Sequence, residues 1–143
     1  MASETKTIVI DANGLIIGRL AAYVAKKAIT GHTVEIINIE KAVISGNPLQ
    51  IVTVFRKRRT MTNHANPENA SKWPRKPDLL FKKILSGMMP HGRRGKEASA
   101  RVKAHLGSTG KTGTKPVRDS SKLKHSFISL GELCKELGGC NTG

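Results

Sequence analysis

Strand, helix and strand follow one another between Thr7 and Ile39, and that order predicts an α/β domain with a small, mostly parallel central sheet. Two further observations give the domain its character. The net charge of +15 on 143 residues is unevenly placed: 19 Lys and Arg stand against 4 Asp and Glu between Arg56 and Lys124, while the other residues carry 6 of each sign. There are only five aromatic residues, Tyr23, Phe55, Trp73, Phe81 and Phe127. The ends therefore read as an ordinary α/β body and the middle as a polybasic segment. The length suits one domain over residues 1–143, with 60–77 and 107–124 as extended basic loops.

The elements follow from local chemistry. Thr7-Ile8-Val9-Ile10-Asp11 is a β-branched run that predicts a buried strand, and Ala12-Asn13-Gly14 supplies a turn. From Ile16, the residues Ile17, Leu20, Ala21, Val24, Ala25 and Ala28 recur at helical spacing until Gly31. Lys26 and Lys27 suit the dipole at the end of that helix. Thr33 to Ile39 is the second strand, and Lys41 to Ile44 is a third apolar run that closes at Ser45-Gly46. Asn47-Pro48 reads as an N-cap with proline at the first helical position. The helix it opens, Pro48 to Thr60, is predicted to bury Leu49, Ile51, Val52 and Phe55, and it ends in Arg56-Lys57-Arg58-Arg59. Four successive cations surround one turn, so at least one points away from any core; dipole complementation accounts for part of the run.

Thr60 to Pro77 is rich in Asn and Pro and predicts a long loop, which Trp73, flanked by Lys72 and Arg75, is expected to dock. An apolar helical run from Leu79 to Leu85 follows. It is broken by Gly87 and Pro90, because glycine costs backbone entropy in a helix and proline removes a donor. The next residues, His91-Gly92-Arg93-Arg94-Gly95-Lys96, predict a short basic loop whose glycines let the backbone approach a partner, with a helix from Lys96 to Val102 beyond it. Val102 to Leu106 predicts a last short strand, and Gly107 to Lys124 a segment extending onto a partner. Ser129-Leu130-Gly131-Glu132 fits a capping box for a helix with Leu130, Leu133 and Leu137 on one face, stopped by Gly138-Gly139.

A segment this basic repels itself and is stabilised by a polyanion. Nucleic acid is the leading partner and an anionic membrane the second. No apolar run approaches the roughly 20 residues needed to span a bilayer, and the first residues lack the apolar core of a signal peptide, which points to an intracellular protein. Single-strand readers stack bases on exposed rings, whereas Tyr23, Phe55 and Phe81 fall within apolar patterns. The expected mode is therefore a grip on the phosphates and shape of folded RNA or duplex. A solvated loop is the plain alternative for the central stretch.

Catalytic motifs are absent on inspection. Gly107-Ser108-Thr109-Gly110-Lys111-Thr112 looks like a phosphate loop, but His105 stands where that pattern needs its first glycine. Cys134 and Cys140 lack the partners of a zinc site and read as reduced thiols, and the five histidines show no metal-ligand spacing. No carboxylate pair or nucleophile constellation stands out. The reading is a non-enzyme with no cofactor, metal or small-molecule substrate.

Three sets of residues carry a family likeness: Asp11-Ala12-x-Gly14-x-x-x-Gly18-Arg19-Leu20-Ala21; Asn38-x-Glu40-Lys41-x-x-Ile44-Ser45-Gly46-Asn47; and Gly87-Met88-Met89-Pro90-His91 with Arg94-Gly95-x-x-Ala98. Together they resemble the universal ribosomal protein L13 family of the large subunit, over nearly the whole chain. The ending from Phe127 to Gly138 is similar to the archaeal form. Met89 stands where the family has leucine, a volume-conserving exchange. The resemblance implies a three-layer α/β/α domain, bound in the cytoplasm to large-subunit ribosomal RNA beside neighbouring ribosomal proteins, without catalysis. It implies Arg93, Arg94 and Lys96 as the central RNA grip, with His91 either a contact or a cap of the loop. Arg56, Lys57, Arg58 and Arg59 form a second patch; Lys72, Arg75 and Lys76 beside Trp73 form a third; Arg101 and Lys103 complete the set. For Arg19, an ion pair with Asp11 or Glu40 and an RNA contact both stand open.

Overall fold

A computed structural model describes residues 6–110, 112–117 and 125–139. In chain order it holds β1 (Thr7–Asp11), α1 (Ile17–Ile29), β2 (Thr33–Ile37), β3 (Val43–Ser45), α2 (Pro48–Thr60), α3 (Pro77–Ser86), α4 (Arg93–Ala100), β4 (Val102–Ala104), β5 (Phe127–Ser129) and α5 (Leu130–Glu136). Strands β1, β2 and β4 form a parallel sheet with β2 in the middle, as the strand–helix–strand order predicts. The sequence pattern does not announce the second sheet, an antiparallel pair of β3 and β5 in which Ile44 faces Ile128. Its strands are three residues each, too short for an alternating pattern to register. The architecture is α/β.

The core is continuous. Ile10, Val34 and Ile36 from the sheet meet Leu20 and Val24 of α1, Leu80, Phe81 and Leu85 of α3, and Leu130 and Leu133 of α5, all fully buried. Helices α1, α3 and α5 stay in place because their apolar stripes are inside this cluster, to which α2 adds Phe55 and α4 adds Ala98. α5 begins with the predicted capping box: the Ser129 hydroxyl accepts from the Glu132 amide, and the Ser129 amide donates back to the Glu132 carboxylate. Asn47 caps α2 by accepting from the Leu49 amide at 3.1 Å.

The residues carrying the family likeness at the N-terminal end interlock as structure. The Asp11 carboxylate accepts from the Asn38 side chain at 3.0 Å and from the Asn13 amide at 3.1 Å. Asn38 is left-handed, at φ 54°, a conformation that asparagine tolerates better than most side chains, and its amide donates to the Gly107 carbonyl. Arg19 is exposed and pairs with neither Asp11 nor Glu40 among the described residues.

Four expectations are corrected. Leu49 is 78% exposed, because the first turn of α2 overlooks an open groove of about 460 Å³ bounded by β5 and α5; of the predicted α2 core, Phe55 is buried while Ile51 and Val52 are half-buried. β2 ends at Ile37, where Asn38 turns the chain, and Ile39 instead enters the core from a short 3-10 turn. The central helix begins at Arg93, three residues early, so Arg93, Arg94 and Lys96 are in its first turn rather than in a loop. Gly92, at φ +125°, makes the whole turn, and the good helix formers after it continue from there. Finally, the described part of 107–117 folds back on the domain: Thr114 pairs beside Ile10 on the free edge of β1, its amide donating to the Val9 carbonyl at 3.0 Å. A Cβ at Gly113 would lie 2.5 Å from the Asp11 amide nitrogen, so only glycine lets this segment close on the strand. Lys111, residues 118–124 and Cys140 lie outside the described residues, and with them parts of the phosphate-loop, extended-loop and cysteine readings.

Candidate nucleic-acid interface

The basic residues divide by what holds them. At the end of α2, Arg56 donates to both the backbone carbonyl and the carboxylate of Glu136, at 3.1 and 3.2 Å, and Arg59 donates to the Leu137 carbonyl at 2.8 Å. Arg75 reaches the Gly138 carbonyl at 3.4 Å. These carbonyls close α5, where the helix leaves acceptors unpaired and its dipole is negative. Arg101 treats α1 in the same way, donating to the Ala28 carbonyl at 3.2 Å. Four of the predicted contact residues thus hold helix ends.

Trp73 docks its loop, as predicted. It is half-buried and meets Phe55 edge-on, with ring centroids 5.8 Å apart. The Arg58 guanidinium lies over both rings, 5.3 Å from Phe55 and 5.1 Å from Trp73. Lys83 of α3 lies 5.9 Å from the Trp73 centroid. Lys57, Lys72 and Lys76 project into solvent without a polar partner among the described residues.

The junction of α3 and α4 is different again. Gly95 is buried against the turn before it, and a Cβ there would overlap the Pro90 carbonyl oxygen. The close approach predicted for a partner is therefore made by the chain to itself. It seats the start of α4, where no side chain among the described residues caps the N-terminal amides and the first turn holds no acid. Arg93 pairs with Glu97 at 2.9 Å on the open surface, while Arg94 and Lys96 are exposed and unpaired among the described residues. An open cleft of about 420 Å³ lies beside them, lined by Lys82, Met89, His91, Gly92 and Lys96. His91 is exposed and makes no hydrogen bond among the described residues.

With this geometry in view, sequence comparisons decide the family. The sequence profile described as Ribosomal protein L13 matches residues 5–111, which include all three basic regions just described. The large ribosomal subunit protein uL13 of Methanocaldococcus jannaschii is 40% identical over 133 residues, covering 91% of this chain and 96% of that protein. The same-named protein of Haloarcula marismortui is 36% identical over 140 residues, covering 94% and 93%. The Aeropyrum pernix protein is 35% identical over 142 residues. The chain belongs to the ribosomal protein L13 family.

The three relatives just named are archaeal, in keeping with the ending that resembles the archaeal form. Membership makes it a ribosomal protein rather than an enzyme. No helix among the described residues is long and apolar enough to cross a membrane. The central motif serves the fold first: Met89 is buried, and Gly95 and Ala98 are the buried positions of α4. Sequence pattern misses two residues of the basic surface, Lys82 and Lys83. They are embedded in the apolar run of α3, and nothing local tells that one borders the α4 cleft and the other reaches Trp73. Lys103 is exposed on β4, in register beside Glu35 of β2.

Proposed function

We propose that this chain is a structural constituent of the large ribosomal subunit that binds and stabilises folded large-subunit ribosomal RNA beside neighbouring ribosomal proteins, supporting subunit assembly and translation. The observation that carries the reading is the start of α4. Two cations unpaired among the described residues, Arg94 and Lys96, and a third held by a surface ion pair are gathered where a helix dipole already disfavours positive charge. In the free protein this arrangement is repulsive. A backbone phosphate reverses the sign, because the uncapped amides of a helix start and the cations beside them each favour an anion. The adjoining cleft, with Lys82 and His91 on its walls, leaves room for the strand that carries that phosphate.

The test is a salt titration of binding to a large-subunit RNA fragment, comparing wild type with Arg94→Ala/Lys96→Ala. Each lost phosphate contact should flatten the slope of log affinity against log salt by about one unit, so the double variant should lose about two. Circular dichroism should be unchanged. Equal slopes and affinities would return α4 to a solvated surface.

A further inference from the structure

The rings at the end of α2 point to a second phosphate site, resting on the RNA-binding reading above. Three segments meet there: Phe55 and Arg58 from α2, Trp73 from the loop and Lys83 from α3. Phe55 is core, and Trp73 stands edge-on to it at 88°, so the indole is fixed. Onto this one indole come two cations, at 5.1 and 5.9 Å from its centroid. An aromatic face holds a cation through its quadrupole without using the cation's N–H groups. Arg58 and Lys83 therefore keep their donors: both are exposed, and neither has a carboxylate or carbonyl partner among the described residues. This separates Arg58 from Arg56 and Arg59, whose donors are taken up by the end of α5. Two like charges held on one ring repel each other, and an anion bound beside them lowers that cost.

We infer that Arg58 and Lys83, held on Trp73, clamp a backbone phosphate of the RNA, and that Trp73 is a positioning residue rather than a platform for a base. A base stacking on the indole would compete with the cations that the ring already holds. A phosphodiester needs only the N–H groups that the rings leave free, and the planar guanidinium can take two of its oxygens at once.

The experiment is the same salt titration on Lys83→Met, which deletes the charge and keeps the stem over the ring, and on Arg58→Gln. Lys27→Met serves as the matched control, because Lys27 lies 5.8 Å from the Tyr23 centroid and belongs to the electrically balanced N-terminal stretch of the sequence. Each of the first two variants should flatten the slope by about one unit, Lys83→Arg should restore it, and Lys27→Met should leave it alone. Trp73 is the chain's one tryptophan, so its fluorescence reports directly on the site. RNA should protect it from quenching by iodide, an anion that the paired cations concentrate, and Lys83→Met should weaken iodide quenching without RNA. Unchanged slopes in Lys83→Met and Arg58→Gln, while Arg94→Ala/Lys96→Ala still flattens, would overturn the clamp and leave the RNA reading standing. Strong quenching of Trp73 by RNA itself would mean base stacking and would also overturn it.

Discussion

The cations that end α2 and those that begin α4 look alike as sequence, and the fold treats them oppositely. Arg56 and Arg59 leave the C-terminal end of one helix and donate to the C-terminal carbonyls of another, α5, where positive charge is favourable twice over. Arg94 and Lys96 occupy the N-terminal turn of α4, where it is unfavourable, and nothing among the described residues takes their donors. The difference teaches how to sort a basic surface. A cation that satisfies a helix end contributes to the stability of the free protein. A cation placed against a dipole contributes nothing until an anion arrives.

The largest effect should come from breaking the seat of α4. Gly95→Ala puts a methyl group into the Pro90 carbonyl oxygen, and this backbone cannot yield as a flexible side chain can. We expect a loss of about 3 kcal/mol by chemical denaturation, as for severe overpacking. Retained stability would show that α4 can slide, and that the placement of its cations is incidental.

Next is Arg59→Ala, which strips a partly buried, charge-assisted hydrogen bond from the Leu137 carbonyl. It should destabilise the domain by about 1.5 kcal/mol, while flattening the RNA salt slope less than Arg94→Ala does. The converse holds for Arg94→Ala alone: about one unit off the slope and no loss of thermal stability, since the removed charge opposed the dipole. If the two variants exchanged behaviours, the sorting rule would be wrong for this protein.

The smallest effect reads the clamped helix from inside. Cys134 on α5 is buried, and burial, with the Asp78 carboxylate adding to it, pushes its thiol up from 9.0 to about 11. At pH 8 the reactive thiolate is therefore scarce, and alkylation of Cys134 in the folded protein should be slow, quickening as pH rises toward 11. Peptide mapping after iodoacetamide treatment would measure this. Arg59→Ala should raise the rate modestly by loosening the end of α5; no change would mean that the arginine merely rests there.

Local order was legible without coordinates because it is governed by neighbours in the chain. The Asn47-Pro48 start of α2, the Ser129–Glu132 capping box and the apolar period of α1 each need only a few adjacent residues, and all appear as their spacing predicts. The polybasic middle was equally plain, since charge adds up irrespective of fold. Which cations are free was not legible. Arg56 and Glu136 are 80 residues apart, and Arg101 and Ala28 are 73 apart. A side chain's donors are spoken for only when packing brings a distant carbonyl to them. The same reason hid the β3–β5 pair, the return of Thr114 to β1 and the meeting of Lys83 with Trp73. Each is a contact between segments far apart in sequence, made by core packing rather than by any local preference of the residues that touch.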